Sequence, residues 1–150
     1  EQKGIVLVST ALFLIAFIVP GLDFRFGWSA VPVPVVLFAD LMVLLAYGFV
    51  ILVFRENHYA ARVVEVEEGQ KVIDTGPYAI VRHPMYLGIL VLYIFSPLAL
   101  GSYWAVLPML LMIPILVARL RNEETVLVRD LPGYSDYMQR TKYRLVPGIW

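Results

Sequence analysis

Val31-Pro32-Val33-Pro34-Val35-Val36-Leu37-Phe38-Ala39-Asp40-Leu41-Met42-Val43-Leu44-Leu45-Ala46-Tyr47-Gly48-Phe49-Val50-Ile51-Leu52-Val53-Phe54 is a 24-residue run with a single charge, Asp40. A helix of that length covers more than a hydrocarbon core of about 30 Å, which takes about 20 residues. Pro32 and Pro34 stand at its start, where a first helical turn has backbone donors without helical partners and proline is tolerated. The run therefore predicts a membrane-spanning helix over 31–54. Upstream, Gly4 to Leu22 carries no charge and predicts a second span. Downstream, Tyr86 to Leu100 and Tyr103 to Ala118 hold 15 and 16 residues and are joined by Gly101 and Ser102. These two predict a short helical hairpin that thins the bilayer or borrows polar flanks, kinked at Pro97, Pro108 and Pro114. The expected fold is all-α, a polytopic membrane helical bundle.

Composition agrees. Of the 150 residues, 60% are hydrophobic and 16% charged, with a formal net charge of zero and a mean hydropathy of +0.76. An ordinary soluble domain has roughly 45–50% apolar residues, so too few polar groups remain here to cover a water-facing surface. Neutral charge gives no basic field for nucleic acid. The absence of cysteine removes disulfides, thiolate metal sites and a thiol nucleophile. His58 and His83 are far apart in sequence, so no metal is expected. The chain reads as one domain over 1–150, and because it opens on Glu1, a processed or truncated product is expected.

Charge placement orients the spans. With four crossings, residues 1–3, the loop 55–85 and the tail 119–150 share one side, and they hold Lys3, Arg55, Arg62, Lys71, Arg82, Arg119, Arg121, Arg129, Arg140, Lys142 and Arg144, eleven of the twelve basic residues. Only Arg25 lies opposite. Positive charge marks the cytoplasmic side, so both termini and the polar loop are expected there.

Nearly all polar residues fall in that loop and tail. Glu65, Glu67, Glu68, Gly69 and Gln70 form an acidic turn, and Gly76-Pro77 breaks any helix. In Arg82-His83-Pro84-Met85-Tyr86-Leu87-Gly88, Pro84 suits a first helical position and His83 its cap. Free backbone donors at such a helix start attract anions. In the tail, Arg119 and Glu123 are four apart and Arg121 and Glu124 three apart, so each pair shares a helix face. Taken singly, these are solvated ion pairs, and Arg82 with His83 is a basic cluster for lipid headgroups. Tyr134, Tyr137, Tyr143 and Trp150 interleave with Arg140, Lys142 and Arg144, the pattern of an interfacial segment that anchors the tail or floors a site. Asp40 within a span predicts a hydrogen bond to a neighbouring helix.

Taken in order, Gly76-Pro77-Tyr78, Arg82-His83-Pro84-Met85-Tyr86-Leu87-Gly88, Arg119-Leu120-Arg121-Asn122-Glu123-Glu124, Leu131-Pro132-Gly133-Tyr134-Ser135-Asp136-Tyr137 and Arg144-Leu145-Val146-Pro147-Gly148 resemble the integral-membrane isoprenylcysteine carboxyl methyltransferases, relatives of the membrane phospholipid methyltransferases. The resemblance spans about Lys71 to Trp150. It implies an S-adenosylmethionine pocket on the cytoplasmic side, built on membrane helices, and methyl transfer to a lipidic acceptor such as the carboxylate of a prenylated cysteine or peptide. By that resemblance Tyr78, His83, Pro84, Met85 and Tyr86 line the pocket, and the Lys71-Val72-Ile73 backbone, running on to Asp74, lies beside it. By the same resemblance Glu123 and Glu124 bind the cofactor, and Arg119 and Glu123 are catalytic, with Arg119 holding the acceptor.

Two other readings compete. Membrane sterol reductases carry a similar Arg-His-Pro-x-Tyr-x-Gly element and use NADPH. They usually have Asn after the proline and often an acidic residue after the glycine, where this chain has Met85 and Ile89. A non-enzymatic membrane scaffold predicts no small-molecule binding at all.

Overall fold

The computed structural model of the chain describes residues 2–59, 66 and 69–150. Among them there is no strand. The chain forms α1 (Gln2–Phe26), α2 (Val33–Glu56), a single 3-10 turn at Gly76–Ala79, α3 (Pro84–Ala99), α4 (Val106–Asp130) and α5 (Tyr134–Arg140). The all-helical class is the expected one, and the boundaries move in informative ways. Pro34 falls in the first turn of α2, and Pro84 is the first residue of α3. Pro97 and Pro114 lie inside helices that continue through them, while Pro108 falls in the first turn of α4. The last apolar run does not stop at Ala118: α4 carries it on to Asp130 as one helix. Arg62 and the acidic residues Glu65, Glu67 and Glu68 lie outside the described residues.

The chain divides into two compact units, one of Glu1–Tyr47 with Ile89–Val117, the other of Gly48–Gly88 with Ala118–Trp150. In the first, the buried residues are mostly small or flexible: Ala16, Ala39, Ala46, Ala105, Met109 and Met112. Small residues let helices approach closely where lipid supplies no hydrophobic drive for association. Large apolar side chains point outward instead, among them Leu14, Phe17, Ile18, Leu37, Phe38, Leu41 and Leu44.

Two helices are long and apolar enough to cross a bilayer, over Leu7–Phe26 and Val33–Glu56. Only 17% and 11% of their most apolar windows are buried. The core helix of a water-soluble protein would be mostly covered, and soluble monomers rarely expose apolar patches beyond a few hundred Å². Exposed apolar helices of this length suit a lipid surround, and the protein is membrane-associated.

The first unit also holds a carboxylate that the motifs do not mark. Asp23 sits in the last turn of α1, 1% exposed, where the helix dipole disfavours negative charge. It accepts hydrogen bonds from the Ser29 backbone N–H at 2.7 Å, from the Ser29 hydroxyl and from the Ser102 hydroxyl. Glycine makes both adjoining helix ends possible. Gly27 (φ +64°) donates to the Asp23 carbonyl at 2.7 Å, with Trp28 following at 3.2 Å. Gly101 (φ +73°) donates to Leu98 O while Ser102 N reaches Pro97 O, both at 3.0 Å, the paired bonds of a left-handed helix cap. Asp40, for which a helix partner is expected, is instead exposed on α2 and makes no hydrogen bond or ion pair with a described residue.

Candidate functional site

The motif residues converge in the second unit. A hollow with about 830 Å³ of empty space, counting the part open to solvent, is lined by residues of the loop, the start of α3, the far end of α4 and α5. Of the residues expected at the site, Lys71, Val72, Ile73, Tyr78, His83, Met85, Tyr86, Arg119 and Glu123 line it. Pro84 and Glu124 do not. Pro84 is fully buried at the first position of α3, and Glu124 is 5% exposed beside the hollow's wall.

Glu124 holds this unit together. Its Oε1 accepts from Arg82 Nε at 2.8 Å and lies 3.2 Å from His83 Nε2, and its Oε2 accepts from Arg144 Nε at 2.7 Å. Arg82 is also buried, and its NH1 donates to the carbonyls of Thr141 (2.8 Å) and Lys142 (2.9 Å). Two backbone bonds reinforce the same junction, Arg82 N to Tyr143 O and His83 N to Arg144 O, both 2.9 Å. Burial by itself raises the Glu124 carboxyl. The hydrogen bonds from His83, Arg144 and Arg82 outweigh it and hold the carboxyl at about 2. A buried carboxylate with this many donors is ionised at any physiological pH.

This corrects two expectations. Arg82 and His83 are not a headgroup-facing basic cluster, because both are buried against Glu124. Glu124 gives both its oxygens to the loop and the tail, while Arg121, three residues earlier, lies over the Trp150 ring at 6.0 Å, with Arg144 over the same ring at 5.4 Å. The interfacial reading of the tail also fails for two of its aromatics. Tyr134 and Tyr137 are buried with Leu131, and Val66, Val72, Leu127 and Met138 pack against them. Both tyrosines line the hollow, so the tail forms part of its floor.

Facing the hollow, Tyr86 donates its hydroxyl to Glu123 Oε2 at 2.6 Å, and Arg119 lines the same hollow. Tyr137 donates to the Tyr78 carbonyl at 2.7 Å, tying α5 to the 3-10 turn. Burial pushes the Tyr78 phenol up to about 12, so it stays protonated at neutral pH. Arg140 pairs with Asp74 at 2.8 Å in an exposed contact.

Sequence reasoning missed Asn57, Tyr59, Val126 and Leu127 in the lining, and of its two readings of the tail, surface anchor or cover of a site, Tyr134 and Tyr137 follow the second. No sequence signal marks Arg82 as buried, and a buried guanidinium needs a carboxylate. The partner lies 42 residues away, beyond what local spacing reveals.

Exposed apolar helices of spanning length, with a hollow lined by the motif residues, describe a helical, membrane-associated protein. Residues 34–131, about two-thirds of the chain, match the model of the phospholipid methyltransferase family. The chain therefore belongs to that family of membrane methyltransferases, which includes the isoprenylcysteine carboxyl methyltransferases. Comparison with curated proteins gave no match.

Proposed function

We propose that the chain, acting over 1–150 as one multi-pass domain with its site on the cytoplasmic side, uses S-adenosylmethionine to methylate the carboxylate of a lipidic acceptor, of which a prenylated cysteine is an example. The residues present fit the methyl donor. Glu123 can accept from its ribose or amino groups, and Lys71 and His83 can meet its carboxylate. The faces of Tyr78 and Tyr86 suit a cation, and a buried hydroxyl, that of Tyr134, has no partner among the described residues. Pro84 and Glu124 serve indirectly: Pro84 starts the helix that carries Met85 and Tyr86, and Glu124 positions His83. When bound, S-adenosylmethionine supplies a methyl group on a positively charged sulfonium.

The observation that carries the acceptor class is the engagement of Glu124. An ammonium acceptor must lose a proton before it can be methylated, so it needs a general base poised near neutral pH. Glu124, held at about 2 by its three partners, is a poor proton acceptor, and His83 shares its Nε2 with the same carboxylate. Glu123 is already bonded to Tyr86. A carboxylate acceptor needs no base, and Arg119 offers the planar, paired donors that orient it. The positive-inside bias of the loop and tail supports the cytoplasmic placement.

Calorimetric titration of the purified protein tests the donor. S-adenosylmethionine binds and NADPH does not, and Glu123→Ala abolishes the binding; NADPH binding instead, or unchanged binding by the variant, overturns the reading. Labelled methyl donor offered with farnesylated cysteine peptide or with phosphatidylethanolamine vesicles tests the acceptor, with label expected in a base-labile ester on the peptide. Label on the phospholipid amine alone overturns the carboxylate assignment.

A further inference from the structure

Among the described residues, a single buried side-chain polar atom has no hydrogen-bond partner: the hydroxyl of Tyr134. Tyr134 is 4% exposed and lines the hollow. Its neighbour one turn along α5, Tyr137, is equally buried and gives its hydroxyl to the Tyr78 carbonyl, so α5 places two phenols side by side and satisfies only one of them. Buried polar groups in folded proteins are nearly always bonded, and an exception requires an explanation, of which a bound ligand is one.

The surroundings restrict what that ligand is. Val72, Leu127 and Leu131 pack with Tyr134 and also line the hollow, so the tyrosine sits in an aliphatic part of its wall. A flat heteroaromatic ring matches such a wall, with apolar faces against the aliphatic groups and one polar atom at its edge. The charged ends of an amino acid do not.

We propose that Tyr134 is a binding residue of the methyl-donor site, whose hydroxyl hydrogen-bonds the edge of the adenine ring. The inference rests on the donor assignment above. Burial together with the neighbouring Glu124 charge pushes this phenol upward, so it is present as a hydrogen-bond donor at neutral pH.

The test compares wild type and Tyr134→Phe by calorimetry, using S-adenosylhomocysteine and methylthioadenosine, which keeps the adenosine and lacks the amino-acid end. Loss of one neutral hydrogen bond predicts about fivefold weaker binding of both ligands. The thermal midpoint of the ligand-free variant should be equal to or above wild type, because Phe removes an unbonded polar atom and keeps the ring. Equal affinity of wild type and variant for both ligands overturns the inference and leaves the donor assignment standing. Weakening confined to S-adenosylhomocysteine moves the contact to the amino-acid end and overturns the adenine placement. A lower ligand-free midpoint shows that the hydroxyl serves the fold and also overturns it. If wild type binds neither ligand, the donor assignment itself fails.

Discussion

Among the described residues, each unit of the molecule contains one deeply buried carboxylate, and the two are satisfied by opposite kinds of group. Asp23 in the first unit is held by two serine hydroxyls and a backbone N–H, all neutral. Glu124 in the second is held by two arginines and a histidine. The first unit is nearly free of charge and its helices expose apolar surface, so neutral donors satisfy a carboxylate there without burying a cation as well. The second unit collects the polar loop and tail, and there a carboxylate joins segments that each bring a basic group. Neutral donors staple two helix ends. Charged ones build the wall of a site.

Removing the charged hub should have the largest consequence. Glu124→Ala leaves Arg82 buried without its counter-charge, and breaking such a pair costs about 3–5 kcal/mol. Thermal or denaturant unfolding in detergent should show that loss together with loss of ligand binding; a change below about 1 kcal/mol would mean that Arg82 relaxes to solvent.

Acid attacks the same hub by titration. The folded carboxyl lies at about 2 against an ordinary 4.5, so its contribution is fully present above about pH 4.5 and is lost as pH falls toward 2. Wild type should lose stability across that window, and Glu124→Gln should lose less over the same interval. Parallel acid profiles for the two proteins would assign the acid sensitivity to other groups.

Asp23→Ala should cost less, about 1.5–3 kcal/mol, because it removes hydrogen bonds to a charged acceptor without leaving a cation stranded. A cost equal to that of Glu124→Ala would erase the distinction between the two staples. Tyr137→Phe should come last at about 1 kcal/mol, the worth of one neutral hydrogen bond, here the one to the Tyr78 carbonyl. Melting measured beside Tyr134→Phe separates the bonded phenol from the unbonded one.

The readings that held depended on local signals. Run length and apolar content located α1 and α2 to within a few residues, and Pro84 marked the start of α3 because a proline is at home only in a first turn. Lys71 to Ile73, Tyr78, Met85 and Tyr86, which the resemblance grouped together, all line the hollow. The readings that moved concern Arg82, Glu124 and Tyr137, whose partners lie 20 to 60 positions away, and Tyr134, whose cluster packs against Val66 and Val72. In isolation their amphipathic spacing is equally good for a solvated helix or an interfacial tail. Asp23 carried no motif, and Ser102, its partner 79 residues later, was readable only as part of a turn.

The amino-acid sequence by itself determined that the chain is helical, that it is rich in apolar spans, and that its motifs resemble those of the membrane methyltransferases, because hydropathy, run length and contiguous motifs are properties of short windows. Only the tertiary structure decided which of the adjacent glutamates faces the hollow and which is locked behind it. Neighbouring residues on a helix point about 100° apart, so one must turn away from the hollow. That it was Glu124 followed from where the loop and the tail brought Arg82, His83 and Arg144.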